Sequence, residues 1–577
     1  MPASLVRHAA LLLTCPVLLL AQNGKTAEKP LPLKYAPRPT TGAISAPDLM
    51  TRLYIFADDS MMGRETGTQG HVKSTAYLAA ELKRLGLRPA GDEGTFFQNV
   101  PMIRRAFATR STITVDGATL RGGTDFIASA GRGAMPRLGT LEVVFVGNAA
   151  DTNSALAPEQ VRGKLVLVLP APRGLGGGGG GGRGGFGGRG GAGGSRQTAG
   201  AAAVATIEAI TPQALRLATR PAEGQVSMKD AGNGSPATVT LTITPEAART
   251  LLGVAVESAT KGQAGKTATL NLAFDEQAAP ARNVVAILPG ADPLLKGQYV
   301  ALGAHNDHVG LFTGSPVDHD SLHLYNQARF GIVGLVRRGQ PRSAEQQAQV
   351  DAIRIAYDSV RTRHPVRLDS IRNGADDDGS GSVTLLEIAE AFSRAPAKPK
   401  RSLLFVWHTG EEKGLLGSRW VTDHLPVPPD SIVAQLNMDM VGRGAARDIP
   451  GGGDDYLQLV GSRRLSTELG DIVEQVNTKQ RTPFHFDYQY DANGDPENIY
   501  CRSDHYNYAR LGIPVAFFTT GLHGDYHQIS DEPQYIDYPH MARIGQLVHD
   551  IALQVADLDH RPLVDKPKPD PNGRCLQ

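Results

Sequence analysis

Between residues 374 and 381 the chain reads Gly-Ala-Asp-Asp-Asp-Gly-Ser-Gly. Three consecutive carboxylates repel one another, so a fold encloses them only around cations and otherwise leaves them in water. An apolar pattern follows at once. Val383, Leu386, Ile388, Ala389 and Phe392 recur at roughly three- and four-residue steps, the spacing of a helix with one buried face. The acidic run therefore sits on the turn that opens a buried helix, where the positive end of the helix dipole favours anions. Two other readings fit the run alone, a solvated acidic turn and a calcium loop of EF-hand type. The second fails on spacing, because with Gly379 as the loop glycine the closing acid would fall on Leu385.

The rest of the chain has to decide. Its 577 residues exceed one ordinary core, so two or more domains are expected. A formal net charge of +1 with 20% charged residues argues against nucleic acid as the main partner. Residues 1–22 read as an export signal. Arg7 and His8 precede an apolar stretch, 11–21, too short to anchor stably in a bilayer. No later stretch is apolar and long enough for a membrane helix, so the expectation is an exported protein, periplasmic or secreted. Past the signal only Cys501 and Cys575 remain, which allows one disulfide in an oxidising compartment. No cysteine-based zinc pattern exists, so any metal must be held by His, Asp and Glu.

Residues 23–139 start the main domain, with helical patterns from Pro47 and from His71 on either side of a turn-rich loop at 63–68. Residues 140–277 read as an inserted β-rich module with strands at 141–146 and 164–169. Inside it, the Gly-rich tract 174–195 cannot bury a core and is expected to be a flexible loop. From 278 to 560, strands at 283–288, 299–303, 402–407, 432–438 and 514–519 alternate with helical patterns, and a tail follows at 561–577. That alternation predicts an α/β fold, a mainly parallel mixed sheet with helices on both faces. Ligands in such sheets bind beyond the carboxyl ends of the strands.

Metal-competent groups stand just past those ends. His305 and Asp307 follow the second strand, Glu411 and Glu412 the third, and Asp439 the fourth. His527 lies beyond the fifth, and the run containing Asp376 joins them. Two histidines with several carboxylates suit borderline divalent metals, zinc first. Their number fits two zinc ions sharing a bridging carboxylate.

The ordered set closely resembles the co-catalytic di-zinc exopeptidases, the family of bacterial leucyl aminopeptidases, aminopeptidase Y and glutamate carboxypeptidases. The segments that carry it are His-x-Asp at 305–307, Gly-Ala-Asp-Asp-Asp-x-Ser-Gly at 374–381 and Gly-Glu-Glu-x-Gly-Leu-x-Gly-Ser at 410–418. Asn-x-Asp-Met at 437–440 and Tyr-His at 526–527 complete it. The resemblance covers most of 47–130 and 281–555, and the β-rich insert resembles the protease-associated domain of such enzymes. It implies that Asp376 bridges two zinc ions, with His305 and Asp439 completing one site and Glu412 and His527 the other. Glu411 would be the general base, Asp307 would orient His305, and the Asp376–Asp377 peptide would be cis. The implied activity is peptide hydrolysis, with an aminopeptidase acting on peptides or small proteins as the leading expectation. A carboxypeptidase on the same centre, a glutaminyl cyclase and a catalytically inactive receptor-like protein are the alternatives.

Two segments depart from that pattern. The connection from His305 to Asp376 is far longer than in the family, and its extra piece, 311–370, holds a helical pattern at 344–360. It also holds a polar cluster, Asp318, His319, Asp320 and His323, read as either a further metal site or, preferably, a solvated loop. The acidic turn 491–495 is read as a plain turn rather than a weak calcium site.

Overall fold

The computed structural model describes residues 31–130, 138–148, 156–170, 198–220, 225–229, 239–312, 314–334, 342–362, 365–573 and 575–577. The expected signal, 1–22, and the Gly-rich tract, 174–195, lie outside the described residues.

A nine-stranded mixed sheet forms the frame. Its centre is a parallel block in the order Ser402–His408, Tyr299–His305, Ile432–Met438 and Val515–Thr519. Arg282–Leu288 pairs antiparallel with the first of these, and Tyr456–Val460 pairs antiparallel with the last. Alternate residues of each strand feed different cores, as the two-residue period of a pleated strand requires. Val284, Ala286, Leu403, Phe405 and Trp407 pack on one face under helices Ala46–Phe56, Gly381–Arg394 and Tyr538–Asp557. Val285, Ile287, Leu404 and Val406 pack on the other, against Val421 of helix Leu416–Asp423 and Tyr508 of helix His505–Ala509. A mixed sheet with helices on both faces is therefore observed, parallel at its centre and with as many antiparallel pairings as parallel ones overall. The apolar positions expected for the helix after the acidic run, Val383, Leu386, Ile388, Ala389 and Phe392, are all buried.

The sheet is larger than the five strands expected. Tyr456–Val460 is interrupted by Gln458, which hides its apolar run in the sequence. In the fold Gln458 is buried, and its amide donates to the Tyr456 hydroxyl at 2.7 Å and to Asp487 at 2.9 Å.

A second sheet of eight strands has its own apolar core, including Phe107, Phe126, Leu165, Leu167 and Leu251. It draws in strands Thr112–Val115, Ala118–Arg121 and Phe126–Ala130, upstream of residue 140, where the inserted module was expected to begin. A three-stranded ribbon, Met102–Phe107 between Gln225–Met228 and Phe274–Ala279, lies beside it in the chain.

The long piece after His305 differs from its expectation. The pattern at 344–360 resolves into two short helices, Ala344–Asp351 and Tyr357–Arg361. The polar cluster is not a solvated loop but caps and opens a further helix, His319–Val333, with His319, Asp320 and His323 buried. Arg367 neutralises Asp320 at 2.7 Å, and His323 Nδ1 reaches Asp525 at 2.7 Å. The insertion is thereby fastened to the loop that carries His527. The acidic turn near 491 is tied down by Arg464, whose Nε donates to Asp491 at 2.5 Å.

A candidate metal centre at the carboxyl ends of the strands

Parallel strands run their carboxyl ends to one edge, and that edge gathers His305, Glu411, Glu412 and Asp439. The acidic run meets them there. Asp376, Asp377 and Asp378 are all buried, at most 3% exposed, so the run does not face water. Each has a separate job. Asp378 accepts N–H bonds from His305 at 2.9 Å and Gly381 at 2.8 Å, tying a strand end to the helix start. Asp376 accepts from Gly442 N–H at 2.6 Å and lies 3.2 Å from His523 Nε2. Asp377 is the one that faces the histidines. Its Oδ1 lies 3.1 Å from His305 Nε2, and its Oδ2 lies 2.8 Å from His527 Nε2.

This corrects the sequence expectation. Asp376 belongs to neither metal-competent group; Asp377, the middle acid, belongs to both. The cis peptide is likewise one residue later, at Asp377–Asp378. Three identical acids in a row carry no sequence signal for which one points inward. Backbone hydrogen bonds decide it: Asp531 accepts the N–H groups of Asp376 and Asp377 and fixes the turn.

The other expected ligands converge. His305, Asp377 and Asp439 form one group, and Asp377, Glu412 and His527 are joined in a second by His308. His305 Nε2 is 3.6 Å from Asp439, and His527 Nε2 is 3.0 Å from Glu412. Outer contacts hold them. The Ser503 hydroxyl donates to Asp439 at 2.8 Å, and His305 Nδ1 meets the backbone carbonyl of Asp307 at 3.0 Å. The Asp307 carboxylate was expected to orient His305, but it lies 3.8 Å away. It receives instead the Thr66 hydroxyl at 2.7 Å and the Glu411 N–H at 3.2 Å, so it positions the loop of the expected base. Burial raises the Asp307 carboxyl to about 6.

Glu411 stands apart from the donors. It is 1% exposed, its carboxylate oxygens have no hydrogen-bond partner, and Oε2 is 3.9 Å from His305 Nε2. Burial pushes its carboxyl well above the usual range, with Asp439 and Glu412 adding to the effect. For His527, burial pulls downward, but Glu412 and Asp377 outweigh it and lift the imidazole to about 10.

A divalent cation fits this donor set. His305 Nε2, His527 Nε2, Asp377 Oδ2 and both Glu412 oxygens are buried without hydrogen-bond partners. Left so, each would cost about 1–3 kcal/mol or more. The chemistry of the donors, imidazole with carboxylate, is that of zinc and its neighbours.

An apolar recess opens beside Asp377 and Asp439, lined by Met440, Tyr490, Ile499, Phe517, Leu522 and Tyr526, with Arg502 at its edge. Its wall is pinned by the Cys501–Cys575 disulfide, Cα atoms 5.8 Å apart, a pairing the sequence left open.

Residues 352–552 match Peptidase family M28. Leucine aminopeptidase 1 of Trichophyton rubrum is 27% identical over 243 residues, 40% of this chain and 59% of that protein. A probable leucine aminopeptidase of Arthroderma benhamiae is 30% identical over 191 residues, 32% of this chain and 48% of that protein. The chain thus spans between about half and three-fifths of these curated relatives. Among solved structures, the aminopeptidase of Aneurinibacillus sp. strain AM-1 aligns over 91% of this chain and 97% of its own, at 16% identity and a TM-score of 0.45. A zinc aminopeptidase from Bacillus subtilis covers 89% and 95%, at 17% identity and a TM-score of 0.45.

Proposed function

We propose, from the premise that residues 352–552 of this chain belong to peptidase family M28, that the protein is an exported di-zinc aminopeptidase. The observation that carries the reading is the Asp377 carboxylate, which offers one oxygen to each of two donor groups. His305 and Asp439 would hold one ion with it, and Glu412 and His527 the other. When bound, such a pair supplies Lewis-acid polarisation of a carbonyl and makes water acidic enough to attack at neutral pH.

The chain's own groups do the rest. Glu411 is the base: its free carboxylate sits beside the donors rather than among them, positioned to take a proton from the attacking water and return it to the leaving amine. Asp307 holds the Glu411 backbone in place. The recess receives an apolar substrate side chain next to Asp377 and Asp439.

A carboxypeptidase would need cationic groups facing the free carboxylate, and the arginines near the motifs, Arg443, Arg502 and Arg510, all have acidic partners. Arg443 is buried between Asp448 and Asp525, at 3.0 and 2.8 Å, and Arg510 binds Asp423. Arg502 stays at the recess, with Glu497 at 3.3 Å. The relatives named leucine aminopeptidases support the amino-terminal direction. Export is supported by the apolar stretch at 11–21 and by the disulfide, which persists in an oxidising compartment. The eight-stranded sheet is proposed as a protease-associated module.

The deciding experiment offers zinc-loaded protein matched peptides with free and with blocked amino termini. Release of the first residue from the free-amine series alone is expected. Cleavage of the blocked series from its carboxyl end would establish the carboxypeptidase instead, with Arg502 as its anion contact.

A further inference from the structure

We propose that His308 is itself a metal ligand, so that one of the two positions is closed by four side chains and the other keeps only three. The inference rests on the di-zinc reading above and adds a residue that the ordered motif does not contain.

His308 is 0% exposed and lies three residues past His305, on the same strand-end loop. Its Nδ1 is 3.1 Å from Glu412 Oε1 and 3.6 Å from Asp377 Oδ2. His527 Nε2 is 3.0 and 2.8 Å from those same two oxygens. Zinc bonds of about 2.0–2.1 Å in a tetrahedron put neighbouring donors about 3.3 Å apart. The four distances bracket that value, and all four donor atoms lie within 4.8 Å of one another.

Close approach alone would also fit a histidine that hydrogen-bonds Glu412. Direction separates the two. Neither His308 nitrogen has a hydrogen-bond partner, nor do Glu412 Oε1, Asp377 Oδ2 and His527 Nε2. At such short separations the four donors converge on one point without forming well-directed hydrogen bonds to one another. The ring is also fitted into its place. A Cβ on Gly374 would come within 2.5 Å of the His308 ring carbons, so only glycine at the head of the acidic run leaves room for it.

Zinc with four protein donors is characteristic of retained ions, whereas three donors leave a position for water or substrate. The group His308, Asp377, Glu412 and His527 is therefore the tightly held site. The group His305, Asp377 and Asp439, nearer to Glu411, is the exchangeable one.

X-ray absorption on the wild-type protein saturated with zinc counts imidazoles without any variant. Three histidines over two ions give an average of about 1.5 per zinc, against about 1.0 if His308 is not bound. Release of zinc into a chromophoric chelator should show one fast and one slow ion. In His308→Ala the slow ion should leave at least about 10²-fold faster, more than the loss of an outer contact usually causes. Two zinc ions with an average of one imidazole each would overturn the His308 assignment and leave the di-zinc reading standing. So would slow release unchanged in a folded His308→Ala. Fewer than two zinc ions at saturation would overturn both.

Discussion

Helix Gly381–Arg394 has buried acids at both ends of its length, and the two groups are handled in opposite ways. At its carboxyl-terminal half, Glu387 and Glu390 close on Arg52, which is 1% exposed and also binds Glu81 at 2.8 Å. Arg84 and Arg394 add two further cations to Glu390, at 3.3 and 2.5 Å. At its start, Asp377 meets Glu411, Glu412 and Asp439 with no arginine or lysine paired to any of the four among the described residues. Histidines are the basic groups that face these acids, and His305 Nε2, His527 Nε2 and both His308 nitrogens remain without hydrogen-bond partners. A fold that can bring guanidinium groups to one end of a helix has not done so at the other. The second cluster is arranged for a cation that the chain does not encode.

The contrast breaks first at Asp377. Asp377→Asn removes the shared bridging charge, and zinc content at saturation should fall below one ion per chain with activity lost. Asp376→Asn should keep both ions, because Asp376 belongs to neither donor group and accepts the Gly442 N–H. Metal analysis of the pair checks it; if Asp376→Asn loses the ions instead, the assignment of the middle acid is wrong. Glu411→Gln comes next in size. It should retain both ions and lose turnover by roughly 10²–10⁴-fold, the contribution of a positioned base. Turnover within a few-fold of wild type would remove Glu411 from the reaction.

Arg52→Met tests the other end of the helix. It leaves Glu387 and Glu390 buried against an apolar side chain, and breaking a buried pair in this way costs about 3–5 kcal/mol. The melting temperature should drop while zinc content and turnover per folded molecule stay unchanged. Replacing both glutamates by leucine or methionine alongside Arg52→Met should recover most of the loss, since a well-packed apolar substitute is often neutral. Unchanged stability in the single variant would mean that the arginine does not hold that cluster together.

How much of this the sequence discloses follows from what each residue depends on. The strand-end placement of His305, Glu412 and Asp439 was legible because a parallel sheet sends those ends to one edge, whatever the details of packing. His527 was legible in the same way, past the end of the fifth strand, although a loop separates it from Thr519. Asp377 was not separable from Asp376, because the choice is made by Asp531 and Gly442, which are distant in sequence. His308 was passed over, although His305 and His308 form a His-x-x-His pair; spacing alone does not say that a loop turns both rings inward. The expected role of Asp307 failed for a local reason: its own backbone carbonyl takes the contact with His305 that its carboxylate was expected to make. The polar cluster was misread because its partners stand far from it in sequence, Arg367 47 residues from Asp320 and Asp525 202 residues from His323.

A third way of burying a titratable group is to keep it uncharged, and His505 illustrates it. Its ring is 0% exposed and stacks on Phe517 with centroids 4.6 Å apart. Burial pulls the imidazole down to about 3, although Asp504 pushes the other way. The folded protein therefore keeps His505 neutral at pH values where the unfolded chain, near 6.5, takes up a proton. A base with a lowered folded value contributes full stability above about 6.5 and loses it as pH falls toward about 3. The slope between those limits is at most about 1.4 kcal/mol per pH unit. His505→Phe removes that proton and preserves the stacked ring. Its stability relative to wild type should therefore improve steadily as pH is lowered from 7 to 4.5, read as a growing difference in melting temperature under matched conditions. Parallel curves would show that His505 titrates in the fold as it does in the unfolded chain, and a difference that changes in the opposite sense would show that Asp504 holds it protonated.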